Sequence, residues 1–205
     1  MSFEIIFVIA ILIISVIIHE ISHGYAALYL GDPTAKNEER LTLNPMKHID
    51  PMGSIFVPLI SYFVGGFVIG WAKPVPYNPY NLKNQKWGEA IVAGAGPSAN
   101  ILLAIIFGLF LRYLPALGVT SSPFLEIVSY VVVVNLILAI FNLAPIPPFD
   151  GSKVLFSILP YRFQYIREFL ERNWIVAMAI FILFLWRFVQ PIVFPIFELI
   201  TGLSV

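Results

Sequence analysis

An apolar run that begins at Ile5 continues through two histidines and a glutamate, in Val16-Ile17-Ile18-His19-Glu20-Ile21-Ser22-His23-Gly24. A run of that length is a helix able to cross a bilayer core of roughly 30 Å. Each ionisable side chain inside such a helix costs about 2.5–3.5 kcal/mol, so three of them within five residues need a compensating partner. Helical spacing provides for one. His19 and His23 are four apart and share a face, so both imidazoles can reach one metal ion, while Glu20 can contact a metal-bound water. Zinc is the expected metal. A chance H-E-x-x-H turns up at a modest rate in soluble chains, but the membrane setting argues against chance here.

The rest of the chain is built for the same solvent. Of its 205 residues 59% are hydrophobic and only 12% charged, which marks one multi-spanning membrane domain, residues 1–205, rather than a soluble core. Twelve basic residues balance twelve acidic ones, so no overall field points to nucleic acid. The absence of cysteine excludes disulfides, thiolate zinc ligands and a cysteine nucleophile. Glu4, with no Lys or Arg ahead of the apolar run, argues against a signal peptide.

Residues 3–30, 88–114, 124–144 and 174 to about 200 read as four clear transmembrane helices, the first ended by Gly31-Asp32-Pro33 and the last interrupted by Arg187, Gln190, Pro191 and Pro195. The apolar stretch 53–72 contains Pro58, Gly65, Gly66 and Gly70 and reads as a re-entrant or short β-containing segment that dips into the membrane. Leu41-Thr42-Leu43 alternates as a short strand does, and residues 73–87, with Pro74, Pro76 and Pro79, read as an irregular loop. The expected fold is therefore an all-α polytopic membrane protein with four spans and one dipping segment.

Charge sets the expected orientation. If 53–72 dips and returns, Lys36, Arg40, Lys47, Lys73, Lys83, Lys86, Lys153, Arg162, Arg167 and Arg172 gather on one side and Arg112 alone on the other. The positive-inside rule makes the richer side cytoplasmic. The C-terminal ends of the first and third spans then meet on that side, which predicts a cell-membrane protein with its active site toward the cytoplasm.

A catalytic zinc usually takes three protein ligands and a water, and the histidines provide two. Asp150, just past the cytoplasmic end of the third span, lies at the right depth for the third; a turn aspartate before Gly151 is the plain alternative. His48, Asp50, Glu89 and Glu126 compete with it, His48 first, although Lys47-His48-Ile49-Asp50-Pro51 reads as a solvated loop. Gly94, Gly96, Pro97 and Ser98 read as a close-packing, kinked stretch of the second span. Asn100 and Asn135 read as interhelical hydrogen-bonding residues.

Three motifs in this order, His19-Glu20-x-x-His23, Gly94-x-Gly96-Pro97-x-x-Asn100 and Asn142-x-x-Pro145-x-Pro147-x-x-Asp150-Gly151, resemble the site-2 protease family of intramembrane zinc metalloproteases. The resemblance implies His19, His23 and Asp150 as zinc ligands, Glu20 as catalytic acid/base and Asn142 near the scissile carbonyl. Phe149 departs from the more common Leu-Asp-Gly, and there is no room for the PDZ or CBS domain that many relatives carry. The expected function is a zinc endopeptidase that cuts transmembrane or membrane-proximal segments of membrane proteins. Leu41 to Asn44 and the dipping stretch are expected to pair with the unwound substrate as strands. The alternative is a membrane metal-binding or transport protein that uses the same His/Asp cluster and gives Glu20 no special task.

Overall fold

The computed structural model describes residues 3–57, 59, 60, 63 and 70–203. Among the described residues three helices are long and apolar enough to cross a membrane: α1, Phe3–Tyr29; α2, Gly88–Tyr113; and α3, Ser122–Asn142. At 1.5 Å per residue the 27 residues of α1 run for about 40 Å, more than a bilayer core requires. Gly31, at φ 106°, turns the chain away, and the Asp32 N–H closes the helix end on the Ala27 carbonyl. Beyond α3 come α4, Asp150–Ile158, α5, Gln164–Arg172, and α6, Trp174–Thr201.

The central helix is α2, packed against α1, α3, α4 and α6. Ala104 and Leu111 of α2, Val128, Val132 and Leu136 of α3, and Val193 and Phe197 of α6 form one core; small side chains on α2 let its neighbours come close. A second cluster, Ala27, Leu82 and Val92, fastens α1 and the loop before α2 to α2 itself. The opposite face of α1 leaves Ile5, Ile6, Ile9, Leu12, Ile13 and Ile14 exposed, which suits hydrocarbon rather than water.

Two expectations about this architecture need correcting. The described residues yield three candidate spans, not four. The fourth stretch forms one long helix, α6, Trp174–Thr201, with Pro191 and Pro195 inside it, and it is not among those three. No strand occurs among the described residues either. At Leu41 to Asn44 the chain bends instead of pairing: His48 Nε2–H donates to the Thr42 carbonyl at 2.8 Å, and the Asn44 side chain caps the 3₁₀ turn Pro45–Lys47. Local side-chain bonds to the backbone have displaced the ladder that alternation predicted. His48, read as solvated, is buried.

The dipping stretch begins as a π-helical turn, Pro51–Phe56; residues 58, 61, 62 and 64–69, including Pro58, Gly65 and Gly66, lie outside the described residues. Its two ends meet. Trp71 N–H donates to the Gly53 carbonyl at 3.0 Å, the Trp71 indole N–H to Asp50 Oδ2 at 2.7 Å, and Lys73 N–H to the His48 carbonyl at 2.9 Å.

Candidate active site

His19 and His23 lie on the inner face of α1, one turn apart, and Asp150 is the first residue of α4. Gly151 permits this arrangement, because a Cβ there would collide with the Leu143 and Ala144 carbonyl groups at the end of α3. The three side chains converge. His19 Nε2 is 3.0 Å from His23 Nε2, and each lies 3.1 Å from Asp150 Oδ2. All three residues are largely shielded, and they form the one metal-capable cluster of His, Cys, Asp and Glu among the described residues.

The protons at this point can be deduced from the surroundings. His23 Nδ1 faces the Val92 carbonyl at 2.7 Å, which only accepts, so Nδ1 carries the hydrogen. Asn135 Nδ2 donates to the Val131 carbonyl, which turns Asn135 Oδ1 toward Asn100 Nδ2 at 2.8 Å and Asn100 Oδ1 toward His19 Nδ1 at 2.6 Å. His19 Nδ1 therefore also carries the hydrogen. In the neutral rings both Nε2 atoms present lone pairs, and a carboxylate oxygen completes the set: three acceptors aim at one point with no proton between them. A cation fits that point. Tetrahedral zinc at about 2.0–2.1 Å from its ligands needs them about 3.3 Å apart, so the triangle would open by only about 0.3 Å.

Behind the cluster stands α2. A Cβ on Gly96 would lie 2.5 Å from His23 Nε2 and 2.6 Å from His19 Nε2, so the glycine is needed for the rings, not for a helix backbone. Gly94 has open space where its Cβ would be. Asn100 and Asn135 are wholly inaccessible, and Asn135 also donates to Ser15 Oγ at 3.0 Å, so a polar chain runs from α1 through α3 and α2 back to His19. The interhelical bonding expected of the asparagines is present, but their contact with the metal-site histidine went unread. Ser15, four residues before His19 on the same helical face, was the available signal.

Glu20 is half-buried and its Oε2 accepts from Val75 N–H at 2.9 Å. Asn142, in the last turn of α3, donates to its own helix at the Leu138 carbonyl. The four rival ligands are elsewhere: His48 on Thr42, Asp50 on Trp71, Glu126 near Tyr130, and Glu89 lining a cavity of about 300 Å³ with Lys153, Arg167 and Glu171. None joins the cluster.

The model of peptidase family M50 matches residues 7–124 and 117–185, which include the whole site. The chain belongs to peptidase family M50. It is 40% identical over 155 residues to "Putative zinc metalloprotease YwhC" of Bacillus subtilis, covering 73% of this chain and 67% of the relative. It is 34% identical over 152 residues to "Putative zinc metalloprotease Rip2" of Mycolicibacterium smegmatis (73% and 56%), and 27% identical over 152 to the Rip2 of Mycobacterium tuberculosis (72% and 55%). The matched region thus spans two thirds of the first relative and little more than half of the others. No solved structure matches. This M50 peptidase is accordingly of the site-2 type, a zinc metalloendopeptidase whose buried His-His-Asp cluster is compatible with zinc, and its apolar helices mark a multi-pass membrane protein. The transport alternative is not favoured.

Proposed function

We propose that this M50 peptidase hydrolyses peptide bonds within or beside transmembrane segments of other membrane proteins, as one domain over residues 1–205, with its site toward the cytoplasm. The observation that carries the reading is the triangle of His19 Nε2, His23 Nε2 and Asp150 Oδ2, three bare acceptors, with the Glu20 carboxylate next to His19 on α1. His19, His23 and Asp150 would hold the zinc, which would supply the Lewis acidity that acidifies a water and polarises a carbonyl.

The remaining work falls to the chain. Glu20 takes a proton from the attacking water as its oxygen bonds to the scissile carbon, and delivers it to the leaving nitrogen as the C–N bond breaks. Asn142 stands near that carbonyl, exchanging the Leu138 oxygen for the substrate's. Asn100 and Val92 hold the histidine rings in the tautomer that keeps Nε2 bare. The substrate helix must unwind before attack, since its carbonyls are otherwise engaged. The basic loops that meet around 31–52 and 73–87 favour the cytoplasmic side.

The test is zinc per chain for the wild type, Glu20→Gln, His23→Ala and Asp150→Ala, paired with cleavage of a panel of detergent-solubilised single-span proteins. One zinc in the wild type and in Glu20→Gln, depletion in the other two, and cleavage by the wild type alone is the expected pattern. Full zinc in Asp150→Ala would remove that residue from the ligand set, and a zinc-loaded wild type that cuts no member of the panel would count against the proteolytic reading.

A further inference from the structure

The segment around Pro74–Pro76 crosses α1 over the face of Glu20 and Gly24. Its Val75 N–H donates to Glu20 Oε2 at 2.9 Å. One turn along, a Cβ on Gly24 would lie 2.9 Å from Val75 Cγ1 and 2.5 Å from Leu41 Cδ2, so the glycine lets the segment lie flat on the helix. Pro74 and Pro76 flank Val75, and neither has an N–H. Val75 therefore offers the one main-chain donor among the three residues that pass Glu20. Each proline also holds the residue before it extended, which stiffens the strap. Its ends are tied down by Lys73 N–H on the His48 carbonyl at 2.9 Å and Asn78 N–H on Asp32 Oδ2 at 2.7 Å.

Arg40 completes the arrangement. The residue is buried, at 5% exposure, and no carboxylate pairs with its guanidinium among the described residues. Arg40 Nη2 donates instead to the Lys73 carbonyl at 2.9 Å and the Pro74 carbonyl at 3.3 Å. The second of these is the oxygen of the peptide unit whose nitrogen belongs to Val75. One planar peptide is thus gripped at its oxygen by a cation and at its N–H by the Glu20 carboxylate. Hydrogen bonds in such a chain polarise one another, and a peptide plane transmits position rigidly. A buried charge ordinarily needs an opposite charge, and here the nearest in this chain of bonds is Glu20, reached through the backbone.

We propose that Arg40 is a positioning residue for Glu20, acting through the Pro74–Val75 peptide, and that the proline-flanked strap serves to fix the orientation of the carboxylate. The inference rests on the assignment of Glu20 as the acid/base. It gives Arg40 and Val75 roles that the three sequence motifs do not contain.

The experiment reads Glu20 directly. In zinc-loaded protein, the infrared difference between the wild type and Glu20→Gln identifies the carboxylate band of Glu20. Arg40→Gln and Val75→Pro, the second removing the N–H while keeping the guanidinium, are expected to shift that band and to retain one zinc per chain. With a single-span substrate from the panel above, both should lower kcat at least about tenfold with KM within about twofold, the signature of a misplaced catalytic group. Guanidinium ion should restore part of the lost kcat in Arg40→Gly but not in Val75→Pro. Should Arg40→Gln fail to fold, Val75→Pro carries the test alone. Normal cleavage with an unmoved band in Val75→Pro overturns the positioning role and leaves the peptidase reading intact. A shifted band in protein whose wild type cleaves nothing supports the positioning contact and rejects the peptidase reading instead.

Discussion

His19 and His23 present the same atom to the same point, yet different parts of the molecule hold them there. His23 rests on the Val92 carbonyl, a main-chain group of α2. His19 rests on a side chain, Asn100, which is itself held by Asn135, which is held by Ser15 and the Val131 carbonyl. The first support cannot be altered by substituting a single side chain; the second can be altered at three places. The site therefore has one ring fixed by the backbone of the central helix and one ring whose orientation depends on a polar chain inside the bundle. Ligand histidines are normally oriented in one of these two ways, and loss of the partner typically costs 10–100-fold in metal affinity. Here the two ways can be compared within one cluster.

Removing a ring altogether gives the largest effect. His23→Ala leaves two donors and should reduce zinc from one per chain to below about a tenth, measured after chelator-free purification. Gly96→Ala comes next, because its methyl group would press on both rings at 2.5–2.6 Å and defeat both supports together. A loss of zinc affinity of about 100-fold, read by competition with a chromogenic chelator, is expected. Gly94→Ala is the internal control: its Cβ meets nothing within 4 Å, so affinity should stay as in the wild type. Asn100→Ala acts on His19 alone and should cost about 10-fold, while Asn100→Asp, which keeps the acceptor, should cost less. Ser15→Ala, two bonds further away, should cost no more than about threefold. If Ser15→Ala cost as much as Asn100→Ala, the chain would be one cooperative unit and the contrast between the two rings would be sharper still.

This contrast also explains what could be read from the chain. His19, Glu20 and His23 announce themselves because the helical repeat and the high cost of charge in a membrane leave few alternatives. Depth only favoured Asp150 over His48 and the other candidates, and the structure is what brings it to the rings. The polar chain behind His19 was only half legible: Asn100 and Asn135 were marked as hydrogen-bonding, but which partner each chooses depends on the rotation of α2 against α1, which no pattern in the sequence reports. The strand at Leu41 to Asn44 was misread because alternation over three residues cannot compete with Asn44 and His48 bonding the local backbone. The span count depended on α6, which forms one helix over Trp174–Thr201 with two prolines inside it. The burial of Arg40 and His48 was invisible because polar residues in a loop ordinarily face water, and here the loop folds back onto α1.

The smallest effect belongs to the far end of the same strap, and it separates loop stability from metal binding. Asp32 is buried just beyond α1, and its carboxylate accepts from Thr34 N–H and Oγ1–H, Asn81 Nδ2–H and Asn78 N–H. Burial by itself raises its pKa, but the bonds from Thr34, Asn81 and Asn78 prevail and lower it. A carboxyl whose folded pKa lies below its unfolded value stabilises the fold above the unfolded value, near 3.9, and loses that contribution as pH falls through the folded one. The wild-type strap should therefore loosen in acid below about pH 4, seen as faster proteolytic nicking around residues 73–87. Asp32→Asn, which offers one acceptor oxygen where the carboxylate offers two, should show the looser behaviour already at neutral pH with no further acid step from this group. Its zinc affinity should match the wild type, since neither histidine leans on Asp32. A loss of zinc in Asp32→Asn would mean that the strap supports the rings as well as Glu20, and the division between backbone-held and side-chain-held ligands would then have to include a third support outside the membrane.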